Sequence, residues 1–91
     1  MIAPNTAAGC IDVIRTHNGE TISFVASEVY AVQVRQYKPR YRSEKDQYDV
    51  WVYLKGCPEE MWVDSSNTLD DANRKKDEFL RAVKTIKDEA I

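Results

Sequence analysis

The feature of this chain that most constrains its fold is a change in hydrophobic period near residue 64. Between Cys10 and Asp64, apolar and polar residues alternate in several short runs, a pattern typical of half-buried β-strands. After Asp64 the apolar residues recur at spacings of three and four, which indicates an amphipathic α-helix. Strands followed by a single helix predict an α+β protein.

The alternating region divides into five predicted strands. Asn18-Gly19 separates the first two, and both residues tolerate the positive φ of a two-residue type I′ turn. Centring the hairpin on this dipeptide pairs Val13 with Phe24 and Ile11 with Ala26. Since consecutive strands usually lie side by side, we predict a five-stranded antiparallel meander that can curl toward a half-barrel.

The third strand, Val29–Tyr37, places Tyr30 on the same face as Val32 and Val34 by simple alternation. A second hairpin then spans residues 48–64. If the loop of residues 55–58 closes it, four cross-strand pairs follow: Trp51 with Trp62, Val52 with Met61, Val50 with Val63, and Tyr53 with Glu60. A one-residue slip would reverse every face, so these pairs depend on the loop.

The helix is predicted over about residues 68–89. Thr68 and Asp71 resemble a capping box, with Asp in place of the usual Glu. The apolar stripe consists of Leu69, Ala72, Phe79, Leu80, Val83, Ile86 and Ala90, and the remaining helix positions are mostly charged. This stripe should cover the aliphatic face of the sheet: Ile11, Val13, Ile22, Phe24, Val32, Val34, Val50, Val52, Leu54, Met61 and Val63.

A length of 91 residues predicts a single domain over residues 10–91, preceded by a flexible arm at residues 1–9. A chain this short buries only about 60–65% of the surface that its unfolded form exposes, so association would help to stabilise it. The hydrophobic content of 43% and the charged content of 31% are typical of a globular protein.

Cysteine use and hydropathy bear on the compartment. The chain has two cysteines, Cys10 and Cys57, whereas a secreted mini-protein held together by disulfides usually has more. The N-terminus lacks the basic start and apolar core of a signal peptide, and no apolar run is long enough to cross a membrane. We therefore expect a soluble, cytoplasmic protein without membrane contact.

The order of an Asn-Gly hairpin, further strands and a terminal helix resembles small bacterial sheet-plus-helix proteins, such as the short flagellar proteins of the FlbD type. It is also similar to the end of a pleckstrin-homology-like barrel. The resemblance is one of pattern, is carried by no residue motif and transfers no function.

Three large aromatic side chains lie on the predicted solvent face of the sheet. Trp51, Tyr53 and Trp62 project there, beside Arg35 and Tyr37 of the third strand. Trp, Tyr and Arg are enriched among the residues that dominate binding interfaces, so this face is a candidate contact with another protein or with a second copy in a homodimer. The alternatives are cross-strand stabilisation, a curled sheet that encloses the rings, or cover by the N-terminal arm.

The connection at residues 37–48 interleaves aromatic and basic residues. Its candidate contacts to nucleic acid or another anion are Lys38, Arg40, Tyr41 and Arg42, since arginine pairs with phosphate and tyrosine stacks on unpaired bases. A solvated hairpin tip is the other interpretation, because Glu44 and Asp46 dilute the charge. The net charge of −2 argues against an electrostatic grip by the whole protein.

No catalytic, cofactor or metal motif is found in the sequence. His17 is the single histidine, and no cysteine or histidine pair has the spacing of a metal site. The three glycines are scattered and form no phosphate-binding loop. We therefore predict a non-enzymatic binding or assembly module without a cofactor, of the adaptor or inhibitor type that phages and mobile elements carry. The alternative is a protein that binds nucleic acid or an anionic ligand through residues 37–48.

Overall fold

The computed structural model describes residues 1–16, 18–37 and 47–89, and these contain six antiparallel strands and one helix. The strands form two separate sheets, each of three strands in sequence order. The elements are β1 (Ile2–Asn5), β2 (Cys10–Ile14), β3 (Thr21–Val25), β4 (Val29–Tyr37), β5 (Gln47–Leu54), β6 (Met61–Ser66) and α1 (Leu69–Glu89). The α+β class and the C-terminal helix are as predicted.

The prediction of one five-stranded meander is wrong in two respects. Ile2–Asn5, which were assigned to a flexible arm, form β1 and pair with β2, so that Ile2 lies opposite Val13. Pro4 is compatible with this strand because β1 is a sheet edge, where a missing N–H can face away from the partner strand. The strands are also split between two sheets, since a 3₁₀ turn at Ala26–Glu28 separates β3 from β4.

The first hairpin has a different register from the predicted one. Gly19 has a φ of +70°, but the last backbone hydrogen bond of the hairpin joins the Arg15 N–H to the Glu20 carbonyl, so the loop is not a two-residue type I′ turn. Instead the Gly19 N–H donates to the Arg15 carbonyl at 3.0 Å, and the loop is longer by two residues. The faces are unchanged, but the pairs become Ile11 with Phe24 and Val13 with Ile22.

Two β-bulges alter the second sheet. Trp51 opposite Trp62 and Val52 opposite Met61 are confirmed, but a bulge then pairs Val50 with Asp64 instead of Val63. Because a bulge sets two residues against one, Val63 and Asp64 are both buried.

The second bulge lies between Val29 and Ala31 and changes the position of Tyr30. The side chain of Tyr30 is 61% exposed and contacts the ring of Tyr53, so the prediction that it shares the face of Val32 and Val34 is wrong.

The helix packs over residues from both sheets. Thr68 Oγ1 accepts a hydrogen bond from the Asp71 N–H at 3.2 Å, which confirms Thr68 as the N-cap. Phe79 meets Phe24 edge to face, with ring centroids 5.6 Å apart. Three predicted core residues, Met61, Leu69 and Leu80, are exposed instead, and Ala90 lies outside the described residues. The core consists of Ile11, Val13, Phe24, Ala26, Val29, Val50, Val52, Val63, Ala72, Phe79, Ala82, Val83 and Ile86.

Candidate interaction surface

The outer face of β4-β5-β6 is the side opposite the residues that pack against α1, and it carries the aromatic side chains that the sequence singled out. Here it is called the aromatic face. Its members are Tyr30, Gln33, Arg35, Tyr37, Trp51, Tyr53, Glu60 and Trp62. The structure brings Arg35, Trp51, Tyr53 and Trp62 close together. Tyr37 lies beyond them at the end of β4 and is 49% exposed.

Arg35 is the centre of this face. Its Nη1 forms an ion pair with Glu60 Oε1 at 2.5 Å, and its Nη2 donates to the Tyr53 hydroxyl. The guanidinium also lies over the ring of Trp51, 5.3 Å from the centroid, and near the ring of Tyr53, at 5.8 Å. The predicted pair of Tyr53 and Glu60 is therefore joined through Arg35.

Gln33 completes this cluster by accepting two hydrogen bonds through Oε1, from Arg35 Nε at 2.8 Å and from the Tyr53 hydroxyl at 3.0 Å. The guanidinium and the phenol are thus held in one arrangement. The hydrogen bond with Arg35 lowers the pKa of Glu60, and the bond with Glu60 raises the pKa of Arg35. Glu60 is therefore ionised at neutral pH.

Arg15, which comes from the first hairpin, covers Trp62. Its guanidinium carbon lies 4.4 Å from the ring centroid of Trp62. Nη2 of Arg15 donates to the Trp62 carbonyl at 2.6 Å, and Nε donates to the Val63 carbonyl at 3.3 Å. Sequence reasoning missed this residue, because no local pattern indicates a contact between positions 47 and 48 residues apart.

The indole N–H of Trp62 is fixed by a chain of polar side chains. It donates to Ser65 Oγ at 3.0 Å, and the Ser65 hydroxyl donates to Asp49 Oδ1 at 2.6 Å. Gln47 Nε2 donates to the same Asp49 oxygen at 2.8 Å. Trp62 is therefore oriented by a hydrogen-bonded network, whereas Trp51 is contacted by the guanidinium of Arg35.

These contacts explain what covers the aromatic rings within the chain. The N-terminal segment pairs with β2 in the other sheet, so the hypothesis that an arm lies over the rings is not supported. Arg15 and Arg35 cover part of the rings instead, and Trp51, Tyr53 and Trp62 are half-buried rather than bare. Tyr30, which the sequence did not assign to this face, is its most exposed ring.

The predicted basic loop is only partly described. Lys38, Arg40, Tyr41 and Arg42 lie outside the described residues, so their proposed contact with nucleic acid or an anion stays a prediction. The described ends of this connection, Tyr37 and Gln47, face each other across β4 and β5.

A buried ion pair lies beneath the N-terminus of α1. Lys75 and Asp64 are 6% and 1% exposed, and Lys75 Nζ lies 3.2 Å from Asp64 Oδ2. The ammonium also donates to the Ser65 carbonyl at 2.8 Å and lies 3.5 Å from Asp71 Oδ2. Sequence reasoning placed Lys75 among the solvated charges, although its spacing from Ala72 and Phe79 belongs to the apolar stripe.

This ion pair borders an open polar cavity of about 430 Å³, which Thr16, Ser65 and Asp71 help to line. Lys75 donates to the Ser65 carbonyl and pairs with Asp64 Oδ2, and backbone N–H groups are directed at the other carboxylate oxygen. Thr16 N–H and Ser65 N–H both donate to Asp64 Oδ1, at 3.2 and 2.9 Å. We therefore assign the pair a structural role, which is to join the first hairpin, β6 and α1.

The acidic groups of this region have lowered pKa values. Burial alone would raise the pKa of Asp64, but the backbone donors and Lys75 outweigh burial and lower it. The Asp71 pKa falls to about 2, chiefly because Arg74 donates to its carboxylate and also through Ser66. Both carboxylates are ionised well below neutral pH in the folded protein.

Acid should therefore destabilise the fold over a defined pH range. The pKa values of Asp64, Asp71 and Glu60 are lower in the folded protein than in the unfolded chain. These carboxylates therefore contribute to the free energy of unfolding above the unfolded pKa of about 4, and the contribution is lost as the pH falls below it. We expect the urea midpoint to be steady from pH 7 to about 5 and to fall as the pH drops toward about 2. The urea midpoint of Asp64→Asn should fall less steeply with decreasing pH than that of Asp77→Asn, which is an exposed control. Equal slopes would contradict the structural role that is assigned to Asp64.

Comparison with known proteins identifies no relative: the chain matches no family model, and neither a curated protein nor a solved structure shows significant similarity to it. Among the described residues, no group of three or more His, Cys, Asp or Glu side chains is placed to hold a metal ion. No helix in the described ranges is both long and apolar enough to cross a membrane. The aromatic face is therefore the feature on which a functional proposal can be based.

Proposed function

We propose that this protein is a non-enzymatic binding module whose aromatic face contacts another protein. The observation that supports the proposal is the grouping of two tryptophans, three tyrosines and Arg35 on one sheet face, where Arg35, Tyr53 and Trp62 are already held in place by hydrogen bonds. These residue types supply most of the binding energy at protein interfaces. A module of this size would act as an adaptor or inhibitor by occupying a surface of its partner.

The fixed geometry of the face favours binding in a second way. Ordering a flexible side chain on association costs about 0.5–1.5 kcal/mol. Here Tyr53 is held by Arg35 and Gln33, and Trp62 by Ser65, so that cost has been met during folding. The face carries one ion pair, Arg35 with Glu60, so a partner with mixed polar and aromatic side chains fits it better than a strongly charged one.

Capture from the native cell extract tests the proposal if matched surface variants are compared. We expect Tyr30→Ser to reduce the amount of captured partner about tenfold or more, since Tyr30 is the most exposed ring of the face and truncating an aromatic hot spot costs about 2 kcal/mol or more. Leu80→Ser is the control, because Leu80 is an exposed apolar residue on the helix. Far-UV circular dichroism should show that both variants remain folded.

The outcome that would contradict the proposal is equal capture by Tyr30→Ser and by the unchanged protein. The alternative, binding of nucleic acid through Lys38, Arg40 and Arg42, predicts a different result. Capture would then be lost on nuclease treatment and at high salt, and in the double variant Arg40→Glu/Arg42→Glu, while Tyr30→Ser had little effect.

A further inference from the structure

In the part of the chain that the structure describes, the outer edge of β4 in the second sheet is open. β4 is the longest strand, with nine residues, and it pairs with β5 on one side only. Among the described residues, no backbone hydrogen bond reaches its other side. A long open edge presents a row of unpaired N–H and C=O groups, which are a template for a further strand.

The opposite edge of the same sheet is treated differently. On β6, Arg15 donates to the carbonyls of Trp62 and Val63, and these groups are therefore occupied. β4 has neither proline nor lysine, the residues that commonly protect an edge. Its bulge between Val29 and Ala31 interrupts only the beginning of the strand, so residues 31–37 remain regular.

The sequence of β4 is complementary to itself in an antiparallel arrangement. If two copies pair with Gln33 at the centre, Val32 of one copy lies opposite Val34 of the other, and Ala31 lies opposite Arg35. Half-buried valines then continue the aliphatic face, and a small residue faces each guanidinium. A centre at Arg35 would set two arginines directly opposite each other, which is unfavourable.

We propose that β4 pairs antiparallel with β4 of a second copy, so that the β4-β5-β6 sheets of the two copies become one continuous sheet of six strands. This inference rests on the proposed function as a binding module, because it names a second copy as one partner. The contact that it proposes is made by the strand edge rather than by the aromatic face. The two-fold pairing brings both aromatic faces onto one side of the joined sheet. Tyr30 and Tyr37, the most exposed rings of β4, lie next to the seam and add to the area that is covered.

Sedimentation equilibrium with charge-swapped variants tests the pairing. The unchanged protein should show twice its chain mass of 10.5 kDa at high micromolar concentration. Gln33 is exposed, and Gln33→Lys and Gln33→Glu each set like charges opposite one another at the seam. Because both variants also change the acceptor that Arg35 and Tyr53 use, recovery of the dimer on mixing is the result that reports on the seam. We expect each variant alone to raise the dissociation constant about fivefold and an equimolar mixture of the two to restore the dimer.

The control for an edge effect is Thr21→Lys, on the exposed edge strand β3, which should leave the mass unchanged. A monomeric mass for the unchanged protein at every concentration would overturn the inference. So would a dimer that is insensitive to charge at Gln33 but lost in Trp51→Ser, because self-association would then use the aromatic face. The inference can fail in the first way while the proposed function survives, since partner capture that depends on Tyr30 is a separate result.

Discussion

Replacing Phe79 with alanine is expected to lower the free energy of unfolding by about 3–5 kcal/mol, because a fully buried aromatic ring is removed from the core. The ring also packs edge to face on Phe24, a contact worth about 0.5–1.5 kcal/mol beyond burial. A domain of this length has a total stability of roughly 5–14 kcal/mol, so a large part of it would be lost. Urea unfolding followed by far-UV circular dichroism measures the change.

The matched control is Leu80→Ala, one position further along the same helix. Leu80 is 41% exposed, so its loss should cost less than about 1 kcal/mol. Both substitutions produce alanine in a helix interior, and the larger gain in helix propensity at position 79 opposes the expected loss there, so propensity cannot account for a greater destabilisation by Phe79→Ala. Equal destabilisation by the two variants would contradict the assignment of Phe79 to the core and of Leu80 to the surface.

Replacing Lys75 with methionine is expected to cost about 3–5 kcal/mol, although methionine is more hydrophobic and forms helices as readily as lysine. The substitution leaves the carboxylate of Asp64 buried without its cation. Asp64→Asn in the same chain removes that uncompensated charge while keeping an acceptor for Thr16 and Ser65. The double variant should therefore be more stable than Lys75→Met alone, by urea unfolding.

Lys84→Met is the control for the loss of a lysine from α1, because Lys84 is exposed. It should change the free energy of unfolding by no more than about 0.5 kcal/mol. If Lys75→Met costs no more than Lys84→Met, or if adding Asp64→Asn brings further loss, the ion pair does not join the helix to the sheet as described.

Local pattern predicts much of this fold. The helix over residues 69–89, its cap at Thr68, and the strand β4 all follow from short-range periodicity and from the side chains next to it. The pairing of Trp51 with Trp62 follows from the length of the second hairpin loop. In each case the signal lies within about twenty residues of the structure that it specifies.

The features that pattern misses depend on partners elsewhere in the chain. β1 is a strand because β2 is available to pair with it, and its own sequence, which includes Pro4, has little strand character. A bulge adds one residue without a composition signal, so Tyr30 could not be placed on the aromatic face by alternation. The burial of the Lys75 ammonium is offset by its ion pair with Asp64, which lies eleven positions earlier in the chain.

The candidate surface was predicted in outline but not in its construction. Five residues were named from the hairpin register and from alternation, and all five lie on the aromatic face. What the sequence could not supply was the way in which the two arginines cover the rings. Arg15 reaches them from the first hairpin, and Arg35 reaches them from β4. The rings are therefore used twice, first to stabilise the sheet and then, in our proposal, to contact a partner.

The most direct test of that proposal is hydroxyl-radical footprinting of the whole chain, read out by mass spectrometry for each residue. The oxidation rates of Tyr30, Trp51 and Trp62 are compared between the dilute purified protein and the protein in its native cell extract. We predict that these rates fall in the extract relative to those of Leu80 and Met1, which lie off the aromatic face. Unchanged rates for the aromatic rings, or a fall confined to Leu80 and Met1, would contradict the claim that this face is the recognition surface.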